Sequence, residues 1–262
     1  MAAPCKGTPG KGRAAGLHRG GGYIAHMPDA VLPRKEAAMA GGSLIKSLAD
    51  NSSGGSLATR LRRARFALFL SLLDQIEGHI EILDIGGTQE FWNLMTGGDP
   101  GDVRVTLLNI DHQPVTSDKF LSAVGDARAM PQFADKSFDV VFSNSVIEHV
   151  GSYADQVRMA REVMRVGRRY FVQTPNKRFP LEPHFLFPFF QYLPSFVRAG
   201  MVHRFDVGWY KRIPDYAAAK AEVDSIQLLT HRKFAALFPG SEIHVERLWG
   251  LPKSFVAYGG WD

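Results

Sequence analysis

Apolar residues along this chain follow two rhythms that change over near residue 80. Before that point Leu57, Leu61, Ala64, Leu68, Leu72 and Leu73 recur at helical spacing, which predicts one helix over 56–75. Arg60, Arg62, Arg63 and Arg65 crowd its first half. The apolar run 66–73 is too short to span a bilayer, which takes about 20 residues. The helix therefore packs beside the first strand or lies as a basic amphipathic segment on an anionic membrane. From Ile80 onward, short continuous apolar runs alternate with helical stretches. Strands are predicted over 80–85, 103–110, 120–124, 138–142 and 170–173, and helices over 90–95 and 153–165. Such runs describe a parallel sheet covered on both faces. The segments 242–248 and 254–258, around Gly250-Leu251-Pro252, predict a closing antiparallel hairpin.

Composition changes abruptly after Gly42. Residues 1–42 hold nine of the 26 glycines, with Pro4, Pro9, Pro28 and Pro33, and show no apolar periodicity. They read as a disordered basic tail without the apolar core of a secretory signal. The remaining residues, 43–262, read as one α/β domain. The expected start of translation is Met1, Met27 or Met39. Of the 31 basic and 26 acidic residues, the tail holds a net +4 and the rest a net +1. The folded part is thus near neutral, which argues against a nucleic-acid groove. A single cysteine, Cys5, excludes an intramolecular disulfide framework and points to a reducing, cytoplasmic compartment.

Ligands of parallel sheets bind beyond the carboxyl ends of the strands. Those ends carry Asp84–Thr88, Asp111–His112, Asp126–Ala127 and Ser143–Asn144. Gly86 and Gly87 remove side chains where a ligand meets backbone. Asp111 is placed to accept from both hydroxyls of a ribose, and Asp126 from an exocyclic amine. The alternative is a tight turn at Gly86–Gly87 with both aspartates as helix caps.

The runs Ile-Leu-Asp-Ile-Gly-Gly-Thr, Leu-Asn-Ile-Asp, Gly-Asp-Ala and Ser-Phe-Asp-Val-Val-Phe-Ser-Asn-Ser-Val-Ile-Glu-His-Val resemble class I S-adenosylmethionine-dependent methyltransferases. The nearest subgroup is the type 11 family. The likeness covers roughly 78–175, and the final hairpin continues it. It implies a Rossmann-like, mostly parallel sheet of order 3-2-1-4-5-7-6 with an antiparallel last strand. It also implies S-adenosylmethionine as cofactor. Asp84, Gly86 and Gly87 would line the methionine end, Asp111 the ribose, Asp126 and Ala127 the adenine, and Ser143 the strand-four side. Two departures stand out. Thr88 replaces the second glycine of the usual Gly-x-Gly, and Val166-Gly167-Arg168-Arg169 replaces a Pro-Gly-Gly turn.

Methyl transfer from a sulfonium needs alignment above all, and a hydroxyl acceptor gains from a general base. His149, in Glu148-His149, and His184, in Pro180-Leu181-Glu182-Pro183-His184, are the candidates. Some relatives hold a metal here through Glu-x-x-Glu-His. Position 145 is Ser145, so no metal is expected. Residues 179–216 contain 11 of the 29 aromatics, Phe185, Phe187, Phe189, Phe190, Tyr192, Phe196, Trp209 and Tyr210 among them. By resemblance this insertion covers the acceptor as a lid, and its Thr-Pro-Asn-Lys-Arg-Phe-Pro start is similar to methyltransferases associated with bacterial surface glycans. The competing expectation is a plain hydrophobic subcore. The sequence thus points to methylation, at oxygen, of a small-molecule or glycan acceptor. Segments 57–76 and 179–216 are the candidates for peripheral contact with the inner membrane face. The alternative is a non-catalytic cofactor-binding protein that acts as a partner or scaffold.

Overall fold

A computed structural model of the chain describes residues 57–261. The basic tail, Cys5, the boundary at residue 42 and the candidate start methionines lie outside the described residues. The first described element is helix α1 (Leu57–Leu73). It buries Phe66, Phe69, Leu72 and Leu73, whereas Ala64 is exposed and Leu68 only half-buried. The inward face is thus rotated from the leucine stripe that the spacing suggested. Aromatic rings decide the rotation, because they offer more area to bury than leucine. Phe69 packs on Phe142 and Phe171 with ring centroids 4.7 and 5.2 Å apart.

Strand β1 (Ile80–Ile85), helix α2 (Gln89–Thr96), strands β2 (Val103–Asn109), β3 (Phe120–Val124) and β4 (Phe138–Asn144), helix α3 (Tyr153–Val166) and strand β5 (Gly167–Pro175) follow. Ser152 and Asp155 form a capping box at the start of α3. That double satisfaction of orphan amides fixes where the helix begins. The insertion after β5 opens with two short strands, β6 (Leu181–Glu182) and β7 (Phe187–Pro188). It continues through helices α4 (Ser195–Arg204) and α5 (Tyr216–Ser225). Helix α6 (His231–Leu237) and the hairpin β8 (Glu242–Leu248) and β9 (Leu251–Gly259) complete the chain.

The main sheet runs β3-β2-β1-β4-β5-β9-β8. Leaving out the two short strands of the insertion, this is the expected order 3-2-1-4-5-7-6. Strands β1 to β5 are parallel, and β9 is antiparallel to β5, with Thr174 opposite Phe255. Strand β5 starts at Gly167, earlier than its apolar run suggested, because Gly167 pairs with Phe138. One apolar cluster lies under α3 and α6, and a second lies under α1 and α2.

The insertion has a third apolar cluster of its own, formed by Phe185, Phe190, Ala199, Val202, Ala219 and Val223. Tyr210 stacks on Phe185 at 4.7 Å. The aromatic excess is therefore divided. Phe185 and Phe190 are closed inside this subcore, which removes them from the acceptor contacts expected of a lid. Phe187, Phe189, Tyr192, Phe196 and Trp209 are exposed. Among the described residues, no helix is long and apolar enough to cross a membrane.

Candidate active site

The loop after β1 is shaped by two glycines that have different reasons to be glycine. Gly86 has φ of +76°, and a Cβ there would meet Val146 Cγ2 at 2.5 Å. Gly87 admits no side chain, since a Cβ would stand 1.7 Å from Asp84 Oδ2. Asp84 is 1 % exposed, and its Oδ2 accepts a 2.8 Å hydrogen bond from Trp92 Nε1. Burial pushes its carboxyl up to about 7, against the pull of the Trp92 hydrogen bond. Asp84 thus supports the loop from beneath, between Trp92 and Gly87. Thr88 is the N-cap of α2, with Oγ1 accepting from Phe91 N at 3.2 Å. That cap gives a local reason for threonine where the usual pattern has glycine. Asn109, which the sequence reading missed, donates from Nδ2 to Gly87 O at 2.9 Å and ties the loop to β2.

The other candidates differ in how open they are. Asp111 is exposed just beyond β2. Asp126 is half-buried, and both its oxygens accept from Arg128 Nε at 2.9 Å. Its Oδ1 also accepts from the backbone N of Arg128 at 2.8 Å. The Arg128 hydrogen bonds hold its carboxyl below the usual range. It is a turn-forming carboxylate already paired with a cation, where the sequence suggested a free acceptor or a helix cap. Ala127 belongs to the core beneath α3. Ser143 is wholly buried, 3.5 Å from Ile85 O, so its side chain is closed off from a ligand.

Beyond β4 the chain turns sharply. Ser145 has φ of +59°, and its Oγ donates to Gln173 Oε1 at 2.8 Å. A single 3₁₀ turn, Ile147–His149, then presents Glu148 and His149. Glu148 is wholly buried, and Thr174 Oγ1 donates to its Oε2 at 2.9 Å. Among the described residues, Glu148 Oε1 has no hydrogen-bond partner. The turn between β6 and β7 brings His184 to this place. Its Nε2 stands 3.1 Å from His149 Nε2, with the rings edge to face. Behind it, His184 Nδ1 lies 2.7 Å from Glu182 Oε1. The structure thus brings both base candidates into one contact, 35 residues apart in sequence.

Their charges diverge. Burial, then the neighbouring His184, drive His149 down to about 3. Burial works against a charged His184 too, but Glu182 and Glu148 outweigh it and leave it raised. Burial lifts Glu148 to about 7.

A buried ion pair closes the far side of this region. Arg65 donates from Nε and Nη2 to the two oxygens of Glu246 at 2.8 Å each, and from Nη1 to Asn144. Lys253 lies close by, lowered to about 8 by burial and by Arg65. An isolated surface hollow of about 360 Å³, lined by His79, Asp102, Arg104 and Lys119, lies at the opposite, amino ends of the strands. Its position separates it from the loops where ligands of such sheets bind.

The loop after β1, the open Asp111 and the sheet order together decide the comparison with known proteins. Residues 83–170 match the family described as methyltransferase domain. This segment is a methyltransferase domain. S-adenosylmethionine is the methyl donor of its class, and Asp111, just beyond β2, stands exposed. The chain is also similar to a curated relative, an uncharacterized protein of Mycobacterium tuberculosis. That relative is 37% identical over 67 residues, which are 26% of this chain and 23% of the relative. The chain therefore spans about a quarter of its length. Among solved structures, an S-adenosylmethionine-dependent methyltransferase from Methanosarcina mazei is 15% identical, with a TM-score of 0.46 over 72% of this chain and 95% of that one. Protein PH0226 from Pyrococcus horikoshii is also 15% identical, with a TM-score of 0.44 over 78% and 91%.

Proposed function

We propose that the chain transfers a methyl group from S-adenosylmethionine to an oxygen of a small-molecule or glycan acceptor. The observation that supports this most is the half-buried His149–His184 contact, backed by Glu182, at the carboxyl ends of β4 and β5. When bound, the cofactor supplies an electrophilic methyl on a sulfonium. The chain's own residues would do the rest. Gly86 and Gly87 admit the ligand to the backbone, and Asp111 accepts from ribose hydroxyls. The insertion 179–216 covers the acceptor side and brings His184 to the hydroxyl that loses its proton. Excluding water and fixing the acceptor in line are worth more here than covalent help.

Calorimetric titration with S-adenosylmethionine and its demethylated product tests the binding half. No binding of either at millimolar concentration overturns it. Transfer of labelled methyl into extract of the source cell tests the acceptor half.

A second reading, a cofactor-binding partner without turnover, draws support from one observation. Asp126 is already occupied by Arg128, so one expected contact to adenine is taken. Cofactor binding without any labelled product would favour that reading. The exposed Phe187, Phe189, Tyr192 and Phe196 support peripheral contact of a cytoplasmic protein with the inner membrane face. Sedimentation with anionic vesicles tests it.

A further inference from the structure

Glu148 presents a chemical mismatch. A wholly buried carboxylate oxygen without a donor is costly, and Oε1 of Glu148 is in that condition among the described residues. Around it lie two imidazoles whose Nε2 atoms point at each other. We propose that Glu148, His149 and His184 form a binding site for one divalent transition-metal ion.

The geometry supplies the first argument. One ligand atom from each of the three residues lies within 4.8 Å of the others. The two imidazole nitrogens are 3.1 Å apart. Two nitrogens bound tetrahedrally to zinc at their usual lengths stand about 3.3 Å apart. The two imidazole nitrogens thus stand within a few tenths of an ångström of a chelating separation, and the carboxylate oxygen completes the set by a larger side-chain movement.

The surroundings supply the second argument. Metal-bound histidines commonly donate their other ring N–H to a carboxylate, which fixes ring and tautomer. Glu182 Oε1 stands 2.7 Å from His184 Nδ1, and a backbone amide, Phe185 N, holds the other oxygen of Glu182 at 2.6 Å. Thr174 occupies Oε2 of Glu148 and leaves Oε1 as the ligating atom.

Strain supplies the third. Ser145, ahead of Glu148, and Leu186, just after His184, hold positive φ of 59° and 47°. Non-glycine residues keep such angles where the surrounding structure over-determines them. Here both flank the ligand atoms.

Two imidazoles and one carboxylate suit zinc, cobalt, manganese or iron(II) better than magnesium or calcium, which take oxygen ligands. The sequence expectation of no metal rested on Ser145, and Ser145 indeed is no ligand, since its hydroxyl is spent on Gln173. Three protein ligands are enough for a site that keeps a position open. Resting on the methyl-transfer reading, that open position would take the acceptor oxygen and lower its pKa, its proton passing to solvent water rather than to His184, whose Nε2 is then a ligand and whose Nδ1 faces Glu182.

The test uses the full chain, freed of metal by chelator and titrated with Co²⁺ in the absence of cofactor. The expected result is one Co²⁺ per chain with the visible spectrum of a low-coordinate ion. His184→Asn and Glu148→Gln should abolish stoichiometric uptake while retaining the circular-dichroism spectrum and S-adenosylmethionine affinity. Glu182→Gln should weaken uptake about 10–100-fold. X-ray absorption of the unaltered chain loaded with Zn²⁺ should show two imidazoles, a measurement that needs no variant to fold. No stoichiometric uptake, unchanged uptake in both ligand variants, or fewer than two imidazoles overturns the site. Turnover that persists at full rate without metal overturns its role toward the acceptor. Metal bound with no turnover on any acceptor overturns that role and counts against the methyl-transfer reading, leaving the site itself supported.

Discussion

The two halves of the sheet's carboxyl edge treat their polar groups in opposite ways. At the ends of β1 to β3, buried and half-buried polar side chains find partners within the chain. Asp84 has Trp92, Asp126 has Arg128, and Asn109 has a backbone carbonyl. Asp111 is the candidate left open. At the ends of β4 and β5, Glu148 keeps an oxygen that is unpaired among the described residues, beside two imidazoles that face one another. The first half has its polar groups satisfied from within. The second holds unspent bonding capacity, which is where chemistry has something to act with.

The sharpest way to break this contrast is to alter the second half alone. His184→Ala should lower turnover by about 10²–10⁴-fold and leave S-adenosylmethionine affinity nearly unchanged by calorimetry. A parallel loss of affinity would mean that the halves are not separate.

Asp84→Asn probes the first half through pH. The folded-state pKa is about 7, raised from 3.8, so the folded state keeps a proton that the unfolded chain loses. This group's contribution to stability is full below about pH 4 and is lost as pH rises to about 7. At most it amounts to about 4 kcal/mol. Asn keeps an acceptor for Trp92 and removes the titration. Urea midpoints measured between pH 4 and 8 should therefore fall less steeply in the variant.

Asp111→Ala should weaken cofactor binding by roughly 1–3 kcal/mol through the lost charged acceptor, with thermal stability unchanged. Smallest is Arg128→Ala, which frees Asp126. Calorimetry should show cofactor affinity rising by less than about 1 kcal/mol. A fall would mean that Arg128 itself meets the ligand.

Much of the fold was legible because the strands are continuous apolar runs. Ile80–Ile85 and Phe120–Val124 fall where the pattern put them, and the central Ile80–Ile85, buried on both faces, demands such a run. The orientation of α1 was not legible from leucine spacing. Phe66 and Phe69 took the sheet face, and Arg65 turned inward because Glu246 waits there. At the site, sequence order revealed which residues stand at strand ends but not whether they are open. Arg128, two positions after Asp126, was a signal that could have warned of a paired carboxylate. The approach of His184 to His149 had no local signal, since it depends on how an insertion folds back over β5.

The Arg65–Glu246 pair joins residues 181 positions apart. Vectorial synthesis gives that separation a temporal meaning. While the ribosome is still working through the central strands, the guanidinium of the first described helix has no carboxylate to meet. Seating Arg65 in its buried place therefore waits on almost the whole chain. Until Glu246 emerges, the helix carries an unmatched charge on the side it must bury, and this discourages its early docking. Contacts of such long range also slow folding. The closing hairpin is thus what completes the seat of Arg65 and secures the docked helix.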